Sequence, residues 1–372
     1  MSMRILITGA KGFMGKNLAA RLRQAGYTAL YEADVDTPDA RLDAYCRDCE
    51  FVFHLAGVNR PKEQKEFMEG NCGALTSLLA RLRAADNRCP VLLSSSIQAA
   101  LDNPYGESKR AGEAALRAYG EETGAPTYIY RFPNVFGKWC RPNYNSVVAT
   151  FCHNIANGLP IEIRDPAAML RLIYIDDLID SVLPALSGAV ETDAEGFCAL
   201  SVTHTVTLGA LAALLYSFRD SREKLSVPDQ TDPLTRKLYA TYLSYLPEDG
   251  FSYPLTMHED ARGSFTEFLR LGGAGQVSVN IAHPGITKGN HWHHTKNEKF
   301  LVVSGSGVIR FRKAGEARVI EYPVSGERLT VVDIPTGYTH NIENTGETDM
   351  VTIMWANECF DREKPDTVYL EV

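Results

Sequence analysis

The sequence predicts an α/β fold, a Rossmann-type doubly wound parallel sheet, followed by an all-β barrel. Three observations predict it. The first half alternates short apolar runs with helix-period stretches, the pattern of βαβ units. A Gly-rich turn joins the first apolar run to the first amphipathic stretch. Beyond Tyr245 the helical period stops, and short alternating runs between Gly-rich turns take over.

Taken in order, residues 5–8 read as the first strand. A helix over 15–24 follows, with Leu18, Leu22 and Ala25 on one face. Apolar runs at 28–31, 51–55, 91–95 and 127–131 are further strands, with helices over 75–84 and 107–121 between them. Leu246-Pro247-Glu248-Asp249-Gly250 has linker chemistry and divides residues 1–245 from 246–372. Strands are expected at 276–281, 300–303, 307–312, 328–334 and 350–355.

A chain of 372 residues is long enough for two cores. Its 46 acidic and 38 basic residues leave a net charge of −8, without the basic footprint of a nucleic-acid binder. No apolar run is long enough for membrane insertion. The first strand begins almost at Met1, which leaves no room for a signal peptide, so a cytoplasmic location is expected. Of the eight cysteines only Cys46 and Cys49 are spaced Cys-x-x-Cys, with no second pair for zinc. They read as ordinary reduced thiols.

Thr8-Gly9-Ala10-Lys11-Gly12-Phe13-Met14-Gly15 is a dinucleotide cradle. Gly9 permits the tight turn, Gly12 the approach of a pyrophosphate, and Gly15 close helix–strand packing. The helix then offers free N–H groups to phosphate. An acid about twenty residues further on would bind the ribose 2′-OH and favour NADH. Glu32 holds that place, with Ala33 and Asp34 after it, and Lys11 is the obvious cation for a 2′-phosphate. Tyr105 and Lys109 are one helical turn apart and share a face. A nearby ammonium would lower the phenol's pKa, fitting Tyr105 to protonate a carbonyl oxygen.

These motifs resemble the extended short-chain dehydrogenase/reductase family over residues 3–243. His54-Leu55-Ala56-Gly57, Asn71, Ser94-Ser95-Ser96, Tyr105-Gly106-Glu107-Ser108-Lys109, Arg131-Phe132-Pro133-Asn134-Val135-Phe136-Gly137 and Arg171-Leu172-Ile173-Tyr174-Ile175-Asp176-Asp177 occur in the family's order. The resemblance implies a catalytic Ser96, Tyr105 and Lys109. It implies a cofactor held by Gly9, Lys11, Gly12, Phe13, Met14, Gly15, Leu55, Ala56 and Gly57, and substrate contacts from Asn134 and Arg171. It favours NADPH, whereas Glu32 favours NADH.

Five of the nine histidines lie between His283 and His340. His291 and His293, two apart on a strand, point to one side. With Glu298 and His340 they offer imidazoles and a carboxylate to a divalent metal, Zn2+ first, with a position left open. His283 and His294 read as surface residues. The spacing Gly285-(five)-His291-x-His293-(four)-Glu298-(six)-Gly305, then Pro335-(four)-His340-(three)-Asn344, resembles the two cupin motifs. Leu329 stands where the second motif begins with Gly.

Asp260-Ala261-Arg262-Gly263-Ser264-Phe265-Thr266-Glu267 and Lys288-Gly289-Asn290-His291 resemble the nucleotide-deoxysugar 3,5-epimerases, also cupins. That resemblance places Arg262 and Glu267 on a nucleotide sugar and makes His291 the base. The metal reading makes His291 a ligand instead and leaves His293, Lys296 or Tyr338 as base. A reductase joined to such a cupin is similar to bifunctional enzymes of bacterial capsular-polysaccharide synthesis. It implies a homodimer acting on a UDP-linked 4-keto-6-deoxy amino sugar, epimerised at C3 and then reduced at C4. The alternatives are a reductase whose cupin only binds sugar or dimerises, and a sugar-binding protein without turnover.

Overall fold

In the computed structural model, residues 3–372 are described except Phe360, Arg362 and Lys364. The chain divides into two compact units, 1–216 with 231–247, and 217–230 with 248–372. Segment 217–230 is a correction to the contiguous division expected after Tyr245. It joins the second unit because the Arg270 amide donates to the Leu225 carbonyl (2.6 Å) and the Arg222 guanidinium to the Gly250 carbonyl (2.7 Å). Among the described residues no helix is long and apolar enough to cross a membrane.

In the first unit, strands β1 (Ile5–Thr8), β2 (Leu30–Ala33), β3 (Phe51–His54), β4 (Val91–Ser96) and β5 (Thr127–Phe132) form a parallel sheet of order β2-β1-β3-β4-β5. The chain reverses its direction of winding between β1 and β3. That switch point leaves a crevice at the carboxyl ends of the strands. Ile5, Ile7, Phe51 and Phe53 pack against Leu18, Ala19 and Leu22 of the helix Phe13–Gln24. Ala25 caps that helix and is exposed, so Ala19 takes the place expected for it. A second sheet holds β6 (Asn134–Phe136), β7 (Met169–Tyr174) and β8 (His204–Thr207), which the apolar runs did not announce.

The second unit is two antiparallel sheets. One has the order β16 (Val331–Ile334), β13 (Glu298–Ser304), β18 (Met350–Ala356), β11 (Gln276–Ala282), β10 (Gly263–Arg270) and β9 (His258–Asp260). The other has the order β15 (Val319–Ser325), β14 (Ser306–Lys313), β17 (Tyr338–Asn344), β12 (Thr287–Trp292) and β19 (Val368–Tyr369). Phe300, Val302 and Met350 of the first meet Ile309, Phe311 and Ile342 of the second in one core. The strand expected at 328–334 begins only at Val331. Strand β15 was hidden by Pro323, which is tolerated because β15 is an edge.

Candidate active site and metal centre

The first site grows from the Gly loop. Gly9 has φ +69°, and a Cβ there would sit 2.8 Å from the Ala56 amide nitrogen. At Gly15 a Cβ would lie 2.3 Å from the Gly9 carbonyl. The turn therefore needs glycine at both positions. Gly12 caps the helix Phe13–Gln24, and no described side chain satisfies its first amides. A phosphate is the natural partner for them.

Asn103 accepts the Gly106 amide (2.8 Å) and Pro104 opens the helix Pro104–Thr123. The helix begins three residues earlier than expected, so Tyr105 already lies on it, one turn before Lys109. Both side chains reach a cavity of about 450 Å³ that Gly9, Gly12, Phe13, Ser96 and Asn134 also line.

Ser95 is bound to Glu113, itself paired with Arg131 at 2.7 Å. Ser94 lends its carbonyl to the Lys109 ammonium at 3.2 Å. Ser96 is the hydroxyl near enough to the Tyr105 phenol to lower its pKa. Burial raises the Tyr105 pKa and outweighs the lowering by Ser96. The expected lowering by Lys109 is thus corrected: burial keeps the phenol protonated. Burial also pulls Lys109 down to about 8, with Glu113 opposing it. Asn71 sits in a π-helical turn, accepts the Val58 amide (2.9 Å) and donates to Ser108 (2.9 Å), so it braces the helix from behind.

Three expected contacts fall elsewhere. Glu32 pairs with Arg23 and does not line the cavity. Because β2 runs on to Ala33, Asp34 holds its carboxyl tip and accepts the Lys11 amide (2.8 Å). Lys11 itself lines the cavity, with its ammonium on Asp36. Arg171 is exposed and absent from the lining, and its carbonyl lies 3.4 Å from the side-chain Nδ2 of Asn134. Leu55, Gly57, Met14 and Gly15 are in the lining, whereas Ala56 packs under Gly9. Trp139, Arg141, Tyr144 and Asn145 also line the cavity. They come from the loop after β6, residues 137–146, which has no helix or strand period to place its side chains.

In the second unit His291, His293, Glu298 and His340 offer ligand atoms that all lie within 4.8 Å of one another. A one-residue irregularity in β12 between Gly289 and His291 sets His291 opposite His340. Glu298 Oε2 lies 3.4 Å from Nε2 of both His293 and His340. None of these three buried atoms has a hydrogen-bond partner. The His293 Nδ1 meets the Asp366 carbonyl, which only accepts, so Nδ1 is the donor there and Nε2 is the ring nitrogen that faces Glu298. Burial would raise Glu298, but the two imidazoles and the Lys296 ammonium at 3.0 Å outweigh it and hold the carboxylate ionised. Burial, reinforced by the neighbouring imidazoles, lowers His291 to about 4. Three buried ligand atoms that face one another without forming a hydrogen bond fit a cation. Ligand atoms about 2.1 Å from a tetrahedral Zn2+ stand about 3.4 Å apart.

The other barrel residues are committed locally. Arg262 is held by Asp260 (2.7 Å) and Glu267 by Arg270, so neither presents a free charge to a sugar. His283 pairs with Asp349 at 2.8 Å and His294 is exposed, as expected of surface residues. Lys288 points inward and donates to the Ile281 carbonyl (2.7 Å) and Asn280 (2.9 Å). The eight cysteines are free, and Cys46 and Cys49 have no third ligand in a metal cluster among the described residues.

A cavity that offers free amides to phosphate at one end and a phenol to a carbonyl at the other is that of a nicotinamide-linked oxidoreductase. The chain belongs to the NAD dependent epimerase/dehydratase family, whose model matches residues 5–195. Residues 258–368 match the polysaccharide biosynthesis C-terminal domain. The chain is 45% identical over 365 residues to UDP-2-acetamido-2,6-beta-L-arabino-hexul-4-ose reductase of Pseudomonas aeruginosa, covering 98% of each. It is similar to the capsular polysaccharide assembling protein CapF of Staphylococcus aureus, at 54% identity and a TM-score of 0.94 over all of both chains. A structure of CapF with the inhibitor 3-isopropenyl-tropolone is 49% identical, with a TM-score of 0.90 over all of both chains.

Proposed function

We propose that this chain is a bifunctional nucleotide-sugar enzyme of surface-polysaccharide synthesis. The barrel epimerises C3 of a UDP-linked 4-keto-6-deoxy-N-acetylhexosamine. The first unit then reduces the C4 ketone with NAD(P)H, giving UDP-2-acetamido-2,6-dideoxy-β-L-talose for the UDP-N-acetyl-L-fucosamine route. The observation that carries this reading is the presence of two separate sites in one chain, the Ser96–Tyr105–Lys109 group and the His/Glu cluster. The whole-length likeness to a UDP-keto-sugar reductase supports it. A reductase acting in the cytoplasm has both nucleotide sugar and reduced nicotinamide at hand.

Chemistry orders the steps. The C3 proton is acidic only while the C4 carbonyl stands beside it, so epimerisation precedes reduction. In the barrel a base, Lys296 or Tyr338 once His291 and His293 are ligands, takes the C3 proton as the C–H electrons move towards the C4 oxygen, and the enolate takes a proton on the opposite face. His291, His293, Glu298 and His340 would hold a divalent metal, which stabilises developing negative charge as a Lewis acid when bound. His291 then serves as ligand rather than base. Tropolones chelate metals through two oxygens, so a tropolone inhibitor of a relative fits a metal requirement. In the reductase NAD(P)H, when bound, supplies the hydride to C4. Tyr105 gives its proton to the C4 oxygen, Ser96 hydrogen-bonds that oxygen, and Lys109 holds positive charge nearby.

The barrel also supports the homodimer. Val331, Leu301, Ile353 and Val279 lie side by side across four strands of the six-stranded sheet, on its outer face. Val331 is 56% and Ile353 37% exposed. An apolar row of this kind on a sheet face fits a second copy.

The deciding experiment is NMR of the keto sugar in D2O with purified enzyme, before and after NADPH. Deuterium should enter C3 first, and C4 reduction should follow. Tyr105→Phe should keep the exchange and lose NADPH oxidation. His340→Ala should lose bound metal and exchange, while its reductase still yields the unepimerised alcohol. Reduction by wild type without C3 exchange would leave only the reductase reading.

A further inference from the structure

The metal cluster rests on three strands, β12, β13 and β17, and on the turn between the first two. His293 lies at the start of that turn and Glu298 just past its end. A turn of five residues, 293–297, has to set an imidazole and a carboxylate at a fixed separation. Its own sequence, His-His-Thr-Lys-Asn, contains no glycine or proline to impose one conformation. The restraint comes from far along the chain. Asp366 Oδ1 accepts the His294 amide (2.9 Å), and Oδ2 accepts the amides of Thr295 (2.7 Å) and Lys296 (2.8 Å) and the Thr295 hydroxyl (3.0 Å). Four donors from three consecutive residues thus converge on one carboxylate.

The same residue reaches the metal ligand directly. The Asp366 carbonyl accepts a hydrogen bond from Nδ1 of His293, which fixes the ring with Nε2 on the side of Glu298. Fixing the Lys296 backbone also places its ammonium 3.0 Å from Glu298 Oε1. Asp366 does not stand alone. The residues after it pair along β12, with Tyr369 opposite His291 and the Leu370 amide on the Asn290 carbonyl (3.0 Å). The Thr339 hydroxyl, next to His340, donates to the Leu370 carbonyl. The chain end therefore touches the segments that carry His291, His293, Glu298 and His340.

We propose that Asp366 is a positioning residue for the metal centre, and that the segment 366–372 is a strap that preorganises the four ligands. This inference rests on the metal reading above. An outer partner that fixes a histidine's tautomer and orientation commonly contributes 10- to 100-fold, in rough terms, to metal affinity. Asp366→Ala removes the cap from the turn and frees the residue whose carbonyl orients His293. Asp366→Asn keeps one oxygen acceptor and should recover part of the effect.

The test measures Zn2+ affinity by chelator competition on the full chain, together with the d–d absorption of the Co2+-loaded protein. Asp366→Ala is expected to weaken Zn2+ binding by about 10- to 100-fold and to alter the Co2+ spectrum. Asp366→Asn should fall between it and wild type. Tyr369→Phe, which loses only an exposed bond to Glu371 (3.0 Å), should match wild type. NADPH oxidation with an already epimerised keto sugar should be the same in all four proteins. If Asp366→Ala lowers only the melting temperature and leaves Zn2+ affinity and the Co2+ spectrum unchanged, the strap has no role at the metal and the proposal is overturned. If wild type binds neither ion while His340→Ala behaves identically, the metal reading itself has failed and the strap falls with it.

Discussion

Lys109 should make the first unit less stable than it would be without its charge. The side chain is buried, and burial pulls its pKa from 10.5 to about 8. In the unfolded chain the group returns to its ordinary value. Between those two pH values the unfolded chain binds the extra proton, so stability rises with pH across the window. Below about 8 the full cost is present, and by about 10.5 it has gone. The shift corresponds to a cost of about 3 kcal/mol. Lys109→Met fills similar space without the charge. It also strands the Ser94 carbonyl, which loses its 3.2 Å bond and costs about 1 kcal/mol. The net gain at pH 7 is then about 2 kcal/mol, or roughly 4–8 °C in melting temperature for a unit of this size. The assay is thermal melting of the cofactor-free proteins at pH 7 and pH 10.5, followed by near-ultraviolet circular dichroism. The variant should melt higher at pH 7 and slightly lower at pH 10.5, where only the lost Ser94 bond remains, and ketone reduction should be lost. A variant that melts at or below wild type at pH 7 would refute the reasoning, as would a gap that ignores pH.

Further outcomes are expected from the same geometry. Wild-type reduction should fall as pH rises through about 8, because the Lys109 cation is then lost; a rate flat to pH 10 would remove its charge from the mechanism. Asp34→Ser should shift preference towards NADPH and Glu32→Gln should leave it unchanged, since Asp34 holds the tip of β2 while Glu32 pairs with Arg23; the ratio of kcat/KM for the two nicotinamides decides. Ile353→Lys should convert the protein to a monomer on light scattering with its fold retained. An unaltered dimer would place the interface elsewhere.

The residues themselves determined a good deal. Gly9 and Gly15 declare the cradle because no side chain fits where the turn meets Ala56 and where the helix meets the loop. Tyr105 and Lys109 declare their shared face through helical spacing alone, and His291, Glu298 and His340 declare a convergent cluster through their spacing. These are local rules, or rules of residue type, and they are written along the chain. What the sequence misplaced depends on how far an element runs or on what lies across from it. Glu32 was chosen by counting from the Gly loop, but β2 continues to Ala33, and only the folded strand shows that Asp34 stands at its tip. The Tyr105 pKa was read from its neighbouring cation, yet burial, a property of the whole unit, outweighs the other influences on it. Segment 217–230 belongs to the second unit through backbone bonds that any residues could make. Asp366 carries no motif. Its meaning comes from three amides about seventy residues away in sequence, brought to it by the pairing of β19 with β12. Short-range spacing can fix which chemistry is present, but long-range packing sets which oxygen faces which nitrogen, because that depends on contacts no local pattern encodes.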